Sequence, residues 1–583
     1  METSKIRKLR PKSKTISIFI LIVSAVFVLG CTSPKDNLGF VEQVNADLRN
    51  KPSAAGGVNY YVCDKGDDSN DGRSESTPFR SFSKGMSTFN SMNGGDSVLF
   101  CRGGIFAVSA NKLFNQKCSA TSVCTIADYG NAALERPKLV ADDVIGLSIM
   151  DGGSADADGG YVVRNIILFS STGSKTGIFI YNDADDVMLD NLHIQGFSTA
   201  VHSAGSGALN AGVNGYNDRL TLRNSTIIDN SGGGWLGGGN DTLIENNQFE
   251  NNGFARINKH NIYISSPGKR IGVFVDSITI RGNTLYKASN INNECRGVSL
   301  VAHGLISNLT IENNIIKEDA GAVSPYCWGI GVDPGNALDE VFKNVRIINN
   351  KLLNMGNIAI ECSSCDGVIV DGNTIIDEGN VLRAGIKIPG KPEDTVKSRN
   401  VTISNNNIIL SKDNGEGISI GGEHVFNVKN NVISQPSTST VECITKSGAN
   451  LNTDTSSNVC QRYTDIVYID SATVVDASEG IVTDPTIADS TADSAESILN
   501  RRAARGLELI NSTEAGEAYE KPTRGDYVKY EGKVTRTRTV SNHTETDKTD
   551  KTTTSGGYVR YERKAGDRRR CRATSSTGEC LMR

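Results

Sequence analysis

Four residues of this 583-residue chain could carry out proton-transfer chemistry together: Lys259, His260, Tyr263 and Arg296. A basic and phenolic set of this kind suits β-elimination on a uronic-acid polymer. In that reaction a cation neutralises the sugar carboxylate, a base removes the C5 proton and an acid protonates the departing O4. Arg296 would pair with the carboxylate, Lys259 or His260 would take the proton, and Tyr263 would be the acid. Histidine needs little retuning for such work near neutral pH. Asp333 and Glu361 offer the oxygen ligands that Ca2+ prefers. Tyr326 and Trp328 offer rings on which sugars stack, and Lys387 offers a further cation. The plainer reading of the same residues has His260 capping a bend, with Lys259 and Arg296 solvated.

Residues so far apart in sequence meet only if the chain repeats, and it does. One phrase recurs as Thr221-Leu222-Arg223-Asn224, Thr279-Ile280-Arg281-Gly282-Asn283, Thr310-Ile311-Glu312-Asn313-Asn314, Ile369-Val370-Asp371-Gly372-Asn373 and Thr402-Ile403-Ser404-Asn405-Asn406, with further copies between and after. The closing Asn positions lie some 22 to 36 residues apart, a solenoid spacing. Between the phrases runs a second pattern, Gly-apolar-x-apolar, beginning at Gly177, Gly297, Gly329, Gly385 and Gly417, with Asn261 and Asn357 in the same frame. Alternation with period two sends the apolar residues inside and the x residues out. Asn suits the bends because it tolerates left-handed backbone and bonds to its neighbours.

These features predict an all-β fold, a right-handed parallel β-helix over residues 58–436. Equivalent residues on successive coils then stand about 4.8 Å apart. Aligned on the Gly or Asn, one outward row reads Phe179, His202, Tyr263, Ser299, Gly331, Ala359, Lys387, Ser419. Two residues on, a second row includes Ser265, Val301, Asp333 and Glu361, and the entry row includes His260, Arg296 and Trp328. Lys259, His260, Tyr263, Arg296, Trp328, Asp333, Glu361 and Lys387 thereby line one face over roughly 20 Å, the length of a groove for several sugars.

The opening of the repeat carries Tyr60-Tyr61-Val62, Gly66-Asp67-Asp68-Ser69-Asn70-Asp71-Gly72, Thr77-Pro78-Phe79 and Gly95-Asp96-Ser97-Val98-Leu99-Phe100. It resembles the first coil of pectin-lyase-like β-helix proteins, a superfamily of polysaccharide lyases, hydrolases, epimerases and noncatalytic surface proteins. The resemblance implies the fold and leaves the chemistry to the site, since one fold hosts many activities. β-Helix polygalacturonases carry an Asp-Asp pair and a Gly-His-Gly in this frame. Here Lys259-His260 and Cys295-Arg296-Gly297 stand at those places, without the two carboxyl groups that glycoside hydrolysis needs. Ala302-His303-Gly304 resembles both that Gly-His-Gly and the Arg-His-Gly of some alginate lyases, with Ala in place of Arg. Epimerases of this fold show Asp-Pro-His after Tyr-Gly, of which Asn258-Lys259-His260 keeps only the His. The expectation is therefore a lyase on an acidic polysaccharide, ahead of a C5-epimerase and a noncatalytic glycan-binding surface protein.

Residues 1–30 read as an export signal: Lys5, Arg7, Lys8, Arg10, Lys12 and Lys14 precede the apolar run 16–29, which is too short to span a membrane. Its end, Val28-Leu29-Gly30-Cys31, resembles the lipobox of bacterial lipoproteins, which implies an acylated Cys31 and a membrane anchor. Export makes disulfides the expected state of the other twelve cysteines. Neighbours suggest Cys63 with Cys101, Cys118 with Cys124, Cys295 with Cys327, Cys443 with Cys460 and Cys571 with Cys580. Cys362 and Cys365 form a lone CxxC, half a zinc site, and read as structural.

Sixty Gly, 6% aromatics and a net charge of −5 suit a solenoid and give no footprint for nucleic acid. Residues 31–57 read as a linker and 437–520 as a mixed extension. Residues 521–583 reverse the sign of the charge, with sixteen Lys and Arg against eight Asp and Glu. They echo Gly525-Asp526-Tyr527-Val528 in Gly556-Gly557-Tyr558-Val559, two small strand units suited to an anionic glycan or an envelope, or simply a solvated basic tail.

Overall fold

The repeated phrase folds the same way coil after coil. In the strand Leu305–Glu312, Ile306, Leu309 and Ile311 are buried. Asn313 then turns left-handed with φ 55°, Asn314 points into the core, and the strand Ile315–Lys317 leaves in a new direction. Asn246, Asn349, Asn405 and Asn430 take the same left-handed conformation, as do Gly282 and Gly372 where the phrase has Gly instead. The two residues are interchangeable there because both reach positive φ at low cost.

The second Asn of each phrase does a different job. The side-chain amides of Asn247, Asn283, Asn314, Asn350, Asn373, Asn406 and Asn431 each donate to the side-chain oxygen of the next, ending on Asn458, at 2.7–3.0 Å. Asn314 Nδ2 also donates to the Ile280 carbonyl, and its Oδ1 accepts from Asn283 N. Buried bend groups are thus satisfied in a continuous ladder.

The protein is described by a computed structural model covering residues 57–150, 159–205, 217–265, 274–335, 339–391 and 394–464. Its strands stack into three long parallel sheets of thirteen, twelve and thirteen strands, each strand paired with its counterparts one coil before and after. The fold is a right-handed parallel β-helix, as the repeat predicts. The helix Phe82–Phe89, capped by Ser81, packs Phe82, Met86 and Phe89 into the core near the first coil. At the other end the coils run past the expected boundary at Pro436. Ile444–Lys446 extends the twelve-stranded sheet, and Val459–Tyr463 extends one of the others. The repeat phrase has faded there, but Asn458 still closes the Asn ladder.

Among the described residues five disulfides join Cys63–Cys101, Cys118–Cys124, Cys295–Cys327, Cys362–Cys365 and Cys443–Cys460. The lone CxxC is one of them, with both sulfurs in the core. The export signal, Cys31, the Cys571 and Cys580 pair and the basic tail lie outside the described residues.

Candidate functional site

The outer face of the twelve-stranded sheet carries the candidate residues, in a register that differs from the one expected. Tyr263 pairs with Val301, not Ser299, and Gly331 pairs with Glu361, not Ala359. In the strands Val298–His303 and Ile358–Cys362 the inward residues are Leu300, Ala302, Ile360 and Cys362, two places later than the Gly-based alignment puts them. A slip of two keeps every side chain on its own face, so alternation alone does not reveal it. A further coil, Gly233–Gly237, stands between His202 and Tyr263, with Trp235 buried inside and Leu236 outside.

These shifts reassign the site. Arg296 falls before the strand, where Val298 takes the entry position opposite Trp328. Its guanidinium is held by Glu294 Oε2 at 2.7 and 3.1 Å on an exposed edge. It is therefore not in the entry row with His260 and Trp328, where the Gly-based alignment places it. His303, on the same coil, takes its place: its ring meets the Tyr263 ring edge-on with centroids 5.3 Å apart. His260 flanks Tyr263 on the other side, also at 5.3 Å. Lys259 is half-buried beside it.

His260 Nδ1 donates to the Val298 carbonyl at 2.8 Å, and burial pushes its imidazole down to about 4, outweighing that bond. The ring is thus neutral at neutral pH. His303 Nδ1 donates to the Asp333 carbonyl at 2.6 Å and lies 3.7 Å from Asp333 Oδ1. In the neutral ring that bond leaves Nε2 as the acceptor nitrogen. Gly335 lies against the ring, where a Cβ would overlap Cε1 and Nε2.

Beyond Asp333 stands Lys391, a residue that no repeat or motif singles out. Its ammonium lies 3.0 Å from Glu361 Oε1 and 3.9 Å from Asp333 Oδ2. The Glu361 side chain is only 2% exposed, and its Oε2 has no hydrogen-bond partner among the described residues. Burial raises the Glu361 carboxyl, with Lys391 pulling the other way and Asp333 adding to the rise. Burial alone would lower Lys391, but the carboxylates of Glu361, Asp333 and Asp394 more than offset it and hold the ammonium charged. This answers the expectation of Ca2+ between Asp333 and Glu361: the ammonium stands between those carboxylates, and a calcium ion would have to expel it. The donor set does not fit the metal.

Lys387 pairs in register with Glu361, is half-exposed, and carries no ion pair among the described residues. Trp328 opens its strand half-buried, and Tyr326 is 67% exposed on the loop before it. Tyr263, His303, Asp333, Lys391 and Glu361 thus form one chain of contacts across five coils, with His260 and Lys387 at its ends. His303 and Lys391 were the missing members.

Residues 149–333 match the family model of the right handed beta helix region. No curated protein matches the sequence. Among solved structures, a lacto-N-biosidase from Eubacterium ramulus is similar at 14% identity and TM-score 0.37, over 77% of this chain and 74% of that one. An alginate lyase from Paenibacillus is similar at 14% identity and TM-score 0.27, over 65% and 95%. The pectate lyase Pel9A is similar at 14% identity and TM-score 0.30, over 76% and 87%. The match and the three sheets define a right-handed parallel β-helix protein. Likeness at this level concerns the fold, and the chemistry has to be argued from the site.

Proposed function

We propose that the protein cleaves an acidic, uronate-containing polysaccharide by β-elimination. The observation that carries this reading is the contact chain Tyr263–His303–Asp333–Lys391. It supplies a phenol, an imidazole oriented through its Nδ1, and a cation, the three groups the reaction needs. The sugar carboxylate sits on Lys391, whose charge Glu361 and Asp333 maintain. His303 Nε2 takes the C5 proton, its ring oriented by the Asp333 carbonyl. Tyr263, against the His303 ring, gives its proton to O4 as the bond to the neighbouring sugar breaks. His260 positions Tyr263, while Lys387, Trp328 and Tyr326 serve sugars further along. Hydrolysis by Asp333 and Glu361 is not supported, because the Glu361 carboxyl is covered and cannot reach a glycosidic oxygen. The same groups would also suit a C5-epimerase, which returns a proton to the opposite face.

The test is incubation with a panel of uronate glycans, following the far-ultraviolet absorbance of the unsaturated uronate. Tyr263→Phe and His303→Ala should each lose about 10²- to 10⁴-fold in rate. Arg296→Ala, removed from the row and held by Glu294, should change it little. A change in sugar composition without cleavage would make the protein an epimerase, and binding without either would make it a surface receptor. We also propose that acylated Cys31 anchors the exported protein to a membrane. The motif at residues 28–31 supports this.

A further inference from the structure

The corrected register divides the outer face of the twelve-stranded sheet by charge. Ser148, Phe179, His202, Leu236, Tyr263 and Val301 occupy successive coils of one outward row, and Gly331 follows. None carries a formal charge with His neutral, and burial holds the His202 imidazole below its ordinary value. Charge begins on either side: Lys112 pairs with Ser148 at one end, and Glu361 followed by Lys387 stands at the other. The neighbouring row agrees, with Met150, Tyr181 and Ser265 on the uncharged coils and the first carboxylate at Asp333. The uncharged stretch is also ring-bearing. Phe179 stacks with Tyr181 at 4.8 Å and meets His202 at 5.2 Å.

A glycan lying along this face advances by about one sugar per coil, since both repeats are about 5 Å. A polymer with a carboxylate on every sugar would bring acid groups past Phe179, His202 and Leu236, where the row itself carries no cation. A polymer in which uncharged sugars separate the uronates meets rings and aliphatic surface there, which suit the apolar faces of sugars. Resting on the lyase reading above, we infer that the substrate is a mixed glycan, with its reacting uronate at Lys391 and uncharged sugars over the coils of Phe179 and Leu236. The Phe179–Tyr181 pair and Leu236 are binding residues for those sugars.

The experiment compares a homopolyuronate, such as polygalacturonate, with a polymer alternating glucuronate and N-acetylhexosamine, in wild type, Phe179→Ala and Leu236→Lys. Cleavage is read by absorbance and binding by calorimetry, and circular dichroism verifies that each variant folds. In wild type kcat/KM should favour the alternating polymer by about tenfold or more, since remote contacts are spent on the reacting sugar. Phe179→Ala should lower only the rate on that polymer, and Leu236→Lys should shift the ratio toward the homopolymer. Equal rates on both polymers, or ratios that neither variant moves, would overturn the mixed-glycan inference and leave the lyase reading standing. If neither polymer is cleaved, the lyase reading fails, and binding decides the inference. Tighter binding of the alternating polymer that Phe179→Ala weakens would support it, and no such preference would overturn it.

Discussion

Replacing Lys391 with Met keeps the aliphatic stem and removes the ammonium that faces Glu361. At 3.0 Å and an effective dielectric of about 20, that contact amounts to about 5 kcal/mol before desolvation. One-sided removal of a buried pair costs about 3–5 kcal/mol, and because Lys391 is 30% exposed the lower figure, about 3 kcal/mol, is expected. The loss should depend on pH with a definite sign. Glu361 already holds its proton above the ordinary value of 4.5. A carboxyl whose folded value is raised loses stability as pH climbs from the unfolded value through the folded one. Without Lys391 the folded value rises further, so the loss should be small at the ordinary carboxylate value and grow to its full size as pH rises well above it. Amide hydrogen exchange in the strand Ile358–Cys362, corrected for intrinsic rates, reads this locally. At high pH protection should fall by about two decades, since each decade is about 1.4 kcal/mol. Glu361→Gln combined with Lys391→Met should restore most of it. A loss of equal size at every pH, or a double variant as weak as the single one at high pH, would refute the account of the pair.

Asn314→Leu should strip bonds from Asn283 and from the Ile280 carbonyl, at about 1–3 kcal/mol for each group left buried and unpaired, seen as a lower thermal midpoint. Gly335→Ala should push the His303 ring aside and lower kcat by about tenfold or more while circular dichroism is unchanged. Cys31→Ser should move the protein from the membrane to the soluble fraction, because an acyl anchor cannot form.

The fold was legible because it is written many times over: the same apolar alternation and the same Asn or Gly at each bend. Two of the disulfides followed from the same logic, since stacked coils bring Cys63 to Cys101 and Cys295 to Cys327, whereas Cys118–Cys124 and Cys443–Cys460 followed from nearness in sequence. The site was legible only in part. Tyr263, Asp333 and Glu361 were found because they occupy outward places. Their neighbours were misjudged because a two-residue slip preserves that pattern, which put Arg296 where Val298 stands and hid His303 one step along. The coil Gly233–Gly237 was overlooked because Gly237 stands where the pattern has an apolar residue. Lys391 lies in no repeat, just after the strand Ala384–Ile388, and only folding brings it over Glu361.

The central claim is that His303 takes a proton from C5 of a uronate, with Tyr263 beside it as the acid of the same reaction. A glycan deuterated at C5 measures this step whether the sugar then loses its O4 substituent or regains a proton. With wild type, deuterium should appear in solvent water by nuclear magnetic resonance, more slowly than hydrogen is lost from the unlabelled glycan. Both Tyr263→Phe and His303→Ala should suppress that release, whereas Arg296→Ala should leave it. Retention of the C5 deuterium through turnover, or its release undiminished in both variants, would contradict the account.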